Sequence, residues 1–112
     1  MNKVIRDGKV AVLYSPGYGA GWFSWNTWCK ECLFSPEIVA MVEAGINWEK
    51  DWKKVEKKAK ELFNKDGKEF EVYDNAVRDL KIAWIDEGAV FQIHENEGYE
   101  RIKISYDDWI VA

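Results

Sequence analysis

The chain has 112 residues, 47% hydrophobic and 15% aromatic, which suffices for one domain with a real core. Sixteen basic against twenty acidic residues leave a net charge of −4, which argues against a nucleic-acid polymer as partner, because neutralising phosphates takes a basic surface. No apolar run approaches the ~20 residues of a membrane span, and Met1-Asn2-Lys3 leads into a strand pattern without a secretory leader, so two cysteines point to a reducing cytosol.

In chain order, Lys3 to Ile5, the turn Arg6-Asp7-Gly8-Lys9 and Val10 to Tyr14 read as a β-hairpin, with Asp-Gly at its tip. A glycine-rich stretch, Ser15 to Trp22, follows. Trp22, Trp25 and Trp28 recur every third residue, which predicts one side of a helix capped near Ser24 or Asn26 and continuing through Cys29 and Cys32. Ser35-Pro36-Glu37 is a helix start, with Ser as N-cap and Pro at the first helical position. Gly45 ends that helix. A second one starts at Asn47, with the apolar stripe Trp48, Trp52, Val55, Ala59 and Leu62 opposite a lysine-rich face that reads as solvated. Asn64 to Gly67 stops it. Phe70, Val72 and Tyr73 predict a short strand, and Asp74 to Leu80 is ambiguous, with Asp74 able to cap a single turn. Strands then follow at Ile82–Ile85, Ala89–Glu95 and Tyr99–Ser105, separated by Asp86-Glu87-Gly88 and Asn96-Glu97-Gly98; Asp107-Asp108 caps a turn before a last strand, Trp109–Val111. With no repeat or linker, residues 1–112 form a single α+β domain, an antiparallel sheet with two or three helices packed on one face.

The most specific stretch is Tyr14-Ser15-Pro16-Gly17-Tyr18-Gly19-Ala20-Gly21-Trp22. A strand, a glycine-rich turn and a helix start can aim backbone N–H groups at an anion. Gly17, Gly19 and Gly21 permit positive φ and close approach of a ligand, and Tyr18 and Trp22 offer rings for a base. A nucleotide-type ligand follows, phosphates on the loop backbone and a ring against the aromatics. The stretch is neither the G-x-G-x-x-G dinucleotide fingerprint nor a phosphate-binding loop ending in Gly-Lys-Ser/Thr. The competing reading is a tight connection whose aromatics cap the core.

Cys29-Lys30-Glu31-Cys32 is a C-x-x-C pair. A redox site of the thioredoxin kind needs a facing cis-proline that Pro16 and Pro36 do not supply, and a zinc cage needs two further ligands where His94 is the only histidine. Two partly buried thiols one helical turn apart are the plainer reading. His94, on a strand without a placeable nucleophile, reads as structural. Glu95/Glu97 and Asp107/Asp108 fall at hairpin ends, where turn chemistry accounts for them. No catalytic residue, metal ligand or cofactor site is expected.

Residues 12–26, Val-Leu-Tyr-Ser-Pro-Gly-Tyr-Gly-Ala-Gly-Trp-Phe-Ser-Trp-Asn, with Leu33-Phe34-Ser35-Pro36-Glu37-Ile38-Val39, resemble phage Thoeris anti-defence proteins of the first type. Phe91-Gln92-Ile93-His94-Glu95, the Glu97-Gly98 turn and Asp108-Trp109-Ile110-Val111-Ala112 carry the resemblance across nearly the whole chain. It implies a non-enzymatic sponge that captures cyclic ADP-ribose isomer signals, glyco-cyclic ADP-ribose among them, without cleaving them, in the cytoplasm of an infected bacterium. It also implies a homodimer or hexamer with pockets near the dimer contact, and in some members a separate site for cyclic oligonucleotides. Carried over, Ser15, Gly17, Tyr18, Gly19, Ala20, Gly21 and Trp22 belong at the pocket, with Phe91 for ring stacking and Arg101 for phosphate contact. The C-x-x-C pair is not a feature of that family, and a thiol redox protein or a small nucleotide-processing enzyme is the alternative.

Overall fold

A computed structural model describes residues 1–17, 21–104 and 110–112. The fold is α+β, with β1 (Ile5–Arg6), β2 (Lys9–Tyr14), α1 (Pro36–Glu43), α2 (Trp48–Phe63), α3 (Asp74–Arg78), β3 (Lys81–Asp86), β4 (Val90–Asn96), β5 (Tyr99–Ile104) and β6 (Ile110–Val111). The strands form two antiparallel three-stranded sheets, in the orders β1-β2-β3 and β5-β4-β6, where one sheet was expected. The split falls between β3 and β4, which the turn at Gly88 (φ +88°) delivers to different sheets. The expected strand starting at Ala89 begins at Val90, and the predicted features at Ser105, Asp107, Asp108 and Trp109 lie outside the described residues.

β2 is the centre of the first sheet, with Val10 opposite Ile85 and Leu13 opposite Ile82. Val10, Ala11, Val12 and Leu13 are all fully buried, so both faces of this strand are covered, as its unbroken apolar run requires. α1 begins as the sequence indicates: Ser35 Oγ accepts the Ile38 N–H at 3.3 Å and Pro36 opens the helix. On α2 the stripe delivers Val55 and Ala59 to the core, with Trp52 and Leu62 packed at its margin, and Phe63, outside the predicted stripe, is buried as well.

Two predicted elements are absent. The tryptophan-rich helix is replaced by successive turns and a short 3-10 segment, Lys30–Leu33, capped by Cys29. The three tryptophans then take separate environments: Trp22 is fully buried, Trp28 partly, and Trp25 is exposed against Tyr73. A helix would keep residues three apart on one side; here Asn26 prevents it. Its buried side-chain amide donates to Trp22 C=O and Glu71 C=O, both at 2.9 Å, and its Oδ1 accepts the Glu71 N–H at 2.7 Å. The segment around Phe70 is no strand either. Asn64 Oδ1 takes the Phe70 N–H at 2.7 Å, so side-chain amides satisfy backbone groups that a neighbouring strand would otherwise pair. Asp74 to Leu80 resolves as α3, with Tyr73 rather than Asp74 in the cap position.

Phe70 is the hub of the resulting aromatic cluster, with ring centroids 4.9 Å from Phe63, 5.1 Å from Trp22 and 6.5 Å from Trp28. Phe70→Ala is expected to cost about 3–5 kcal/mol, read as a lower urea midpoint with an unchanged slope.

Candidate functional site

The glycine-rich stretch leaves β2 at Ser15, on the seam between the two sheets. Glu100 N–H donates to Ser15 C=O at 2.9 Å, so β5 continues the hydrogen bonding where β2 ends. The Glu100 side chain turns back along the same seam. Its Oε1 accepts the Ser15 N–H at 2.8 Å and its Oε2 accepts the Ser24 N–H at 2.7 Å. One carboxylate thus ties together the two ends of the stretch, and it is 1% exposed. A carboxylate enclosed this far is tolerated only when hydrogen-bonded, and bonds to a charged acceptor are about twice as strong as neutral ones.

The two described loop glycines are explained by crowding rather than by backbone hand. Neither Gly17 nor Gly21 has a positive φ, contrary to the expectation for this loop. A Cβ on Gly17 would collide with the Asp79 carboxylate; one on Gly21 would meet the Ser24 hydroxyl and lie 2.8 Å from Glu100 Oε2. The close approach expected here was that of a ligand; the groups that crowd these two glycines belong to the chain's own Asp79, Ser24 and Glu100.

This changes what the expected site residues can do. The Ser15 N–H is committed to Glu100, so the described donor at the start of the loop faces an internal anion. Trp22 is 0% exposed, donates its Nε1–H to Cys32 C=O at 2.7 Å and meets Phe70 edge-on. Neither face of its indole is open to a base as it stands. Phe91 is likewise fully buried, 6.2 Å from the Phe34 ring centroid. Tyr18, Gly19 and Ala20 lie outside the described residues. Arg101 is exposed on β5, opposite His94 on β4.

Two clefts flank β4. The first, about 380 Å³, lies between the segment following the glycine stretch and the second sheet, and is lined by Phe23, Thr27, Lys30, Gln92, Ile93 and Ile110. It joins an aromatic ring and two aliphatic side chains to a cation, a hydroxyl and an amide, a composition suited to a small polar ligand with a ring. The second, about 320 Å³, is lined by His94, Glu95, Asn96, Tyr99, Glu100 and Arg101. Register connects them: Gln92 stands opposite Lys103 and His94 opposite Arg101, so these four side chains share one face of the sheet. His94 Nε2 lies 2.8 Å from Gln92 Oε1 on that face. Arg101 and Lys103 therefore put positive charge on that face of an acidic chain, and Lys30 adds a cation at the first cleft.

Phe23, Lys30 and Gln92 were not singled out in the sequence. Phe23 sits between two tryptophans that drew the periodicity, and Lys30 lies inside the C-x-x-C. Comparison with protein-family models, curated proteins and solved structures returns no match.

Two measurements test the seam. Glu100→Ala strands the Ser15 and Ser24 N–H groups and is expected to cost at least about 2–6 kcal/mol, at 1–3 for each orphaned donor, seen as a fall in urea midpoint. Gly17→Ala is expected to destabilise, and Asp79→Ala in the same chain to recover most of that loss, because the collision is with a side chain; equal losses in the single and double variants would refute the crowding.

Proposed function

We propose that this protein binds a cyclic ADP-ribose-type signal nucleotide, glyco-cyclic ADP-ribose being one such isomer, and sequesters it without cleavage, acting in the host cytoplasm as a phage anti-defence sponge against Thoeris immunity. The observation that carries the reading is the Phe23–Lys30 cleft beside the cationic face of β4 and β5. A cyclic ADP-ribose isomer carries an aromatic base, ribose hydroxyls and phosphates. Phe23 supplies a ring for the base, Thr27 and Gln92 pair with hydroxyls, and Lys30, Lys103 and Arg101 provide charge for phosphates. Lysine acts there as a point charge and arginine as a fork. The Ser15 and Ser24 hydroxyls, enclosed and without a partner among the described residues, are further polar groups at the ends of the loop.

In this reading the glycine stretch shapes the pocket instead of cradling phosphates with its described ends. Glu100 holds those ends in place, and Phe23 is carried into the cleft next to Ser24. The resemblance in residues 12–26 supports the ligand class, and the exposed Trp25, Tyr73, Ile104 and Val111 support assembly into a homodimer or hexamer. No helix among the described residues is long and apolar enough to cross a membrane.

The decisive experiment is calorimetric titration with a cyclic ADP-ribose isomer, followed by heat denaturation and chromatography of the supernatant. Intact ligand is expected; ADP-ribose or AMP would make the protein an enzyme. Base stacking is worth roughly 1–3 kcal/mol by alanine substitution in single-stranded nucleic-acid binders, so Phe23→Ala is expected to weaken binding roughly 5- to 150-fold. Lys30→Glu is expected to weaken it too, with Lys57→Glu on α2 as the silent control. Light scattering is expected to give at least twice the monomer mass.

A further inference from the structure

The C-x-x-C pair lies outside the cleft's lining, yet it is placed with care. Cys29 caps the 3-10 segment and Cys32 sits one turn on, 1% and 0% exposed. Although Cys29 itself is extended (φ −118°, ψ 90°), the Cys32 thiol reaches it to hydrogen-bond, and three residues of a 3-10 turn rise about 6 Å. That separation falls within the 4.4–6.8 Å Cα window of a disulfide. No disulfide joins them: both thiols are free.

We propose that Cys29 and Cys32 are a reversible oxidation site, the co-reactant being a low-molecular-weight disulfide of the glutathione class. Cys29 gives up its proton and its sulfur attacks one sulfur of the small disulfide; the reagent's S–S bond breaks, and one small thiolate leaves and takes the proton. Cys32 then loses its proton, and its sulfur attacks the Cys29 sulfur of the mixed disulfide. The second small thiolate departs protonated. Two protein thiols are oxidised to the Cys29–Cys32 disulfide and one small disulfide is reduced to two thiols.

The environment divides the roles. A hydrogen bond from the Cys32 thiol lowers Cys29 to about 7, against the opposing effect of burial, so Cys29 is the attacking sulfur. Burial holds Cys32 well above the ordinary thiol range, so it stays protonated until Cys29 has reacted. Access comes from local opening of the short 3-10 segment, which has no side-chain cap at Cys29, and Cys29 itself lies between exposed Thr27 and Lys30. The segment is not isolated from the core, since Cys32 C=O holds the Trp22 indole N–H. Oxidation is therefore reported by Trp22 fluorescence.

The test is independent of any nucleotide binding. Native protein is incubated with oxidised glutathione at neutral pH, quenched in acid and weighed intact by mass spectrometry. The wild type is expected to lose two hydrogens, regain them with dithiothreitol, and change its tryptophan emission in step. Cys32→Ser is expected to accumulate a single glutathione on Cys29. Cys29→Ser is expected to react roughly tenfold more slowly, having lost the lower-pKa thiol. Cys32→Ala repeats the trapping, and circular dichroism checks each variant's fold. A folded wild type that keeps both thiols while the urea-unfolded chain oxidises readily would overturn the proposal, as would a persistent, unresolved glutathione adduct on the wild type.

Discussion

The structure depends on one buried carboxylate. Glu100 receives the Ser15 and Ser24 N–H groups through its two oxygens, while its own N–H closes on Ser15 C=O. These three bonds join the first sheet to the second and fix both ends of the glycine stretch. They also bear on Gly21, where a Cβ would meet the Ser24 hydroxyl and lie 2.8 Å from that carboxylate, whereas Gly17 is crowded by Asp79. Trp22 enters the core directly after this narrow passage, and its indole N–H then fixes the turn carrying Cys32. The joining of the two sheets and the anchoring of both flanks of the stretch thus follow from a single acid, at the cost of enclosing its carboxylate away from water.

A loop rich in glycine after a strand is commonly taken as a cradle for an external anion, whereas here the Ser15 and Ser24 N–H groups flanking it meet an internal carboxylate. The proposed ligand-binding surface accordingly lies not on the loop backbone but on what the loop carries. Phe23, Thr27 and Lys30 meet Gln92, Ile93 and Ile110, residues more than sixty positions away in the chain.

Local chemistry made much of the fold legible. Ser35-Pro36 marked α1 and the Asn47 cap marked α2. Asp7-Gly8, Glu87-Gly88 and Glu97-Gly98 marked the turns; Asp7 (φ +52°) and Glu97 (φ +54°) accept the left-handed conformation beside their glycines. Where two asparagines reach across the chain, local reasoning failed, because an amide of Asn26 or Asn64 bonding Glu71 or Phe70 leaves no trace in periodicity. The role of Glu100 did leave a trace. In a strand of period two it falls on the face of Ile102 and Ile104, an acid where an apolar residue belongs, and an inward carboxylate demands donors. The cleft left none, since it arises only when two distant segments meet.

The order of assembly is constrained by how β2 is paired. Val10 meets Ile85 across seventy-five intervening steps of chain, and α1, α2 and α3 all lie within the loop thus closed. Closing so long a loop is entropically costly before its contacts form, and folds dominated by such pairs form slowly. During synthesis, the Val10–Leu13 run can draw on the local hairpin with β1, which pairs only Ile5 with Val10 and Arg6 with Lys9. Until Lys81–Asp86 leaves the ribosome, its other edge has no partner. The strand most completely buried in the finished protein is therefore among those longest uncovered while it is made, and the helices that form in the interval are its first shelter.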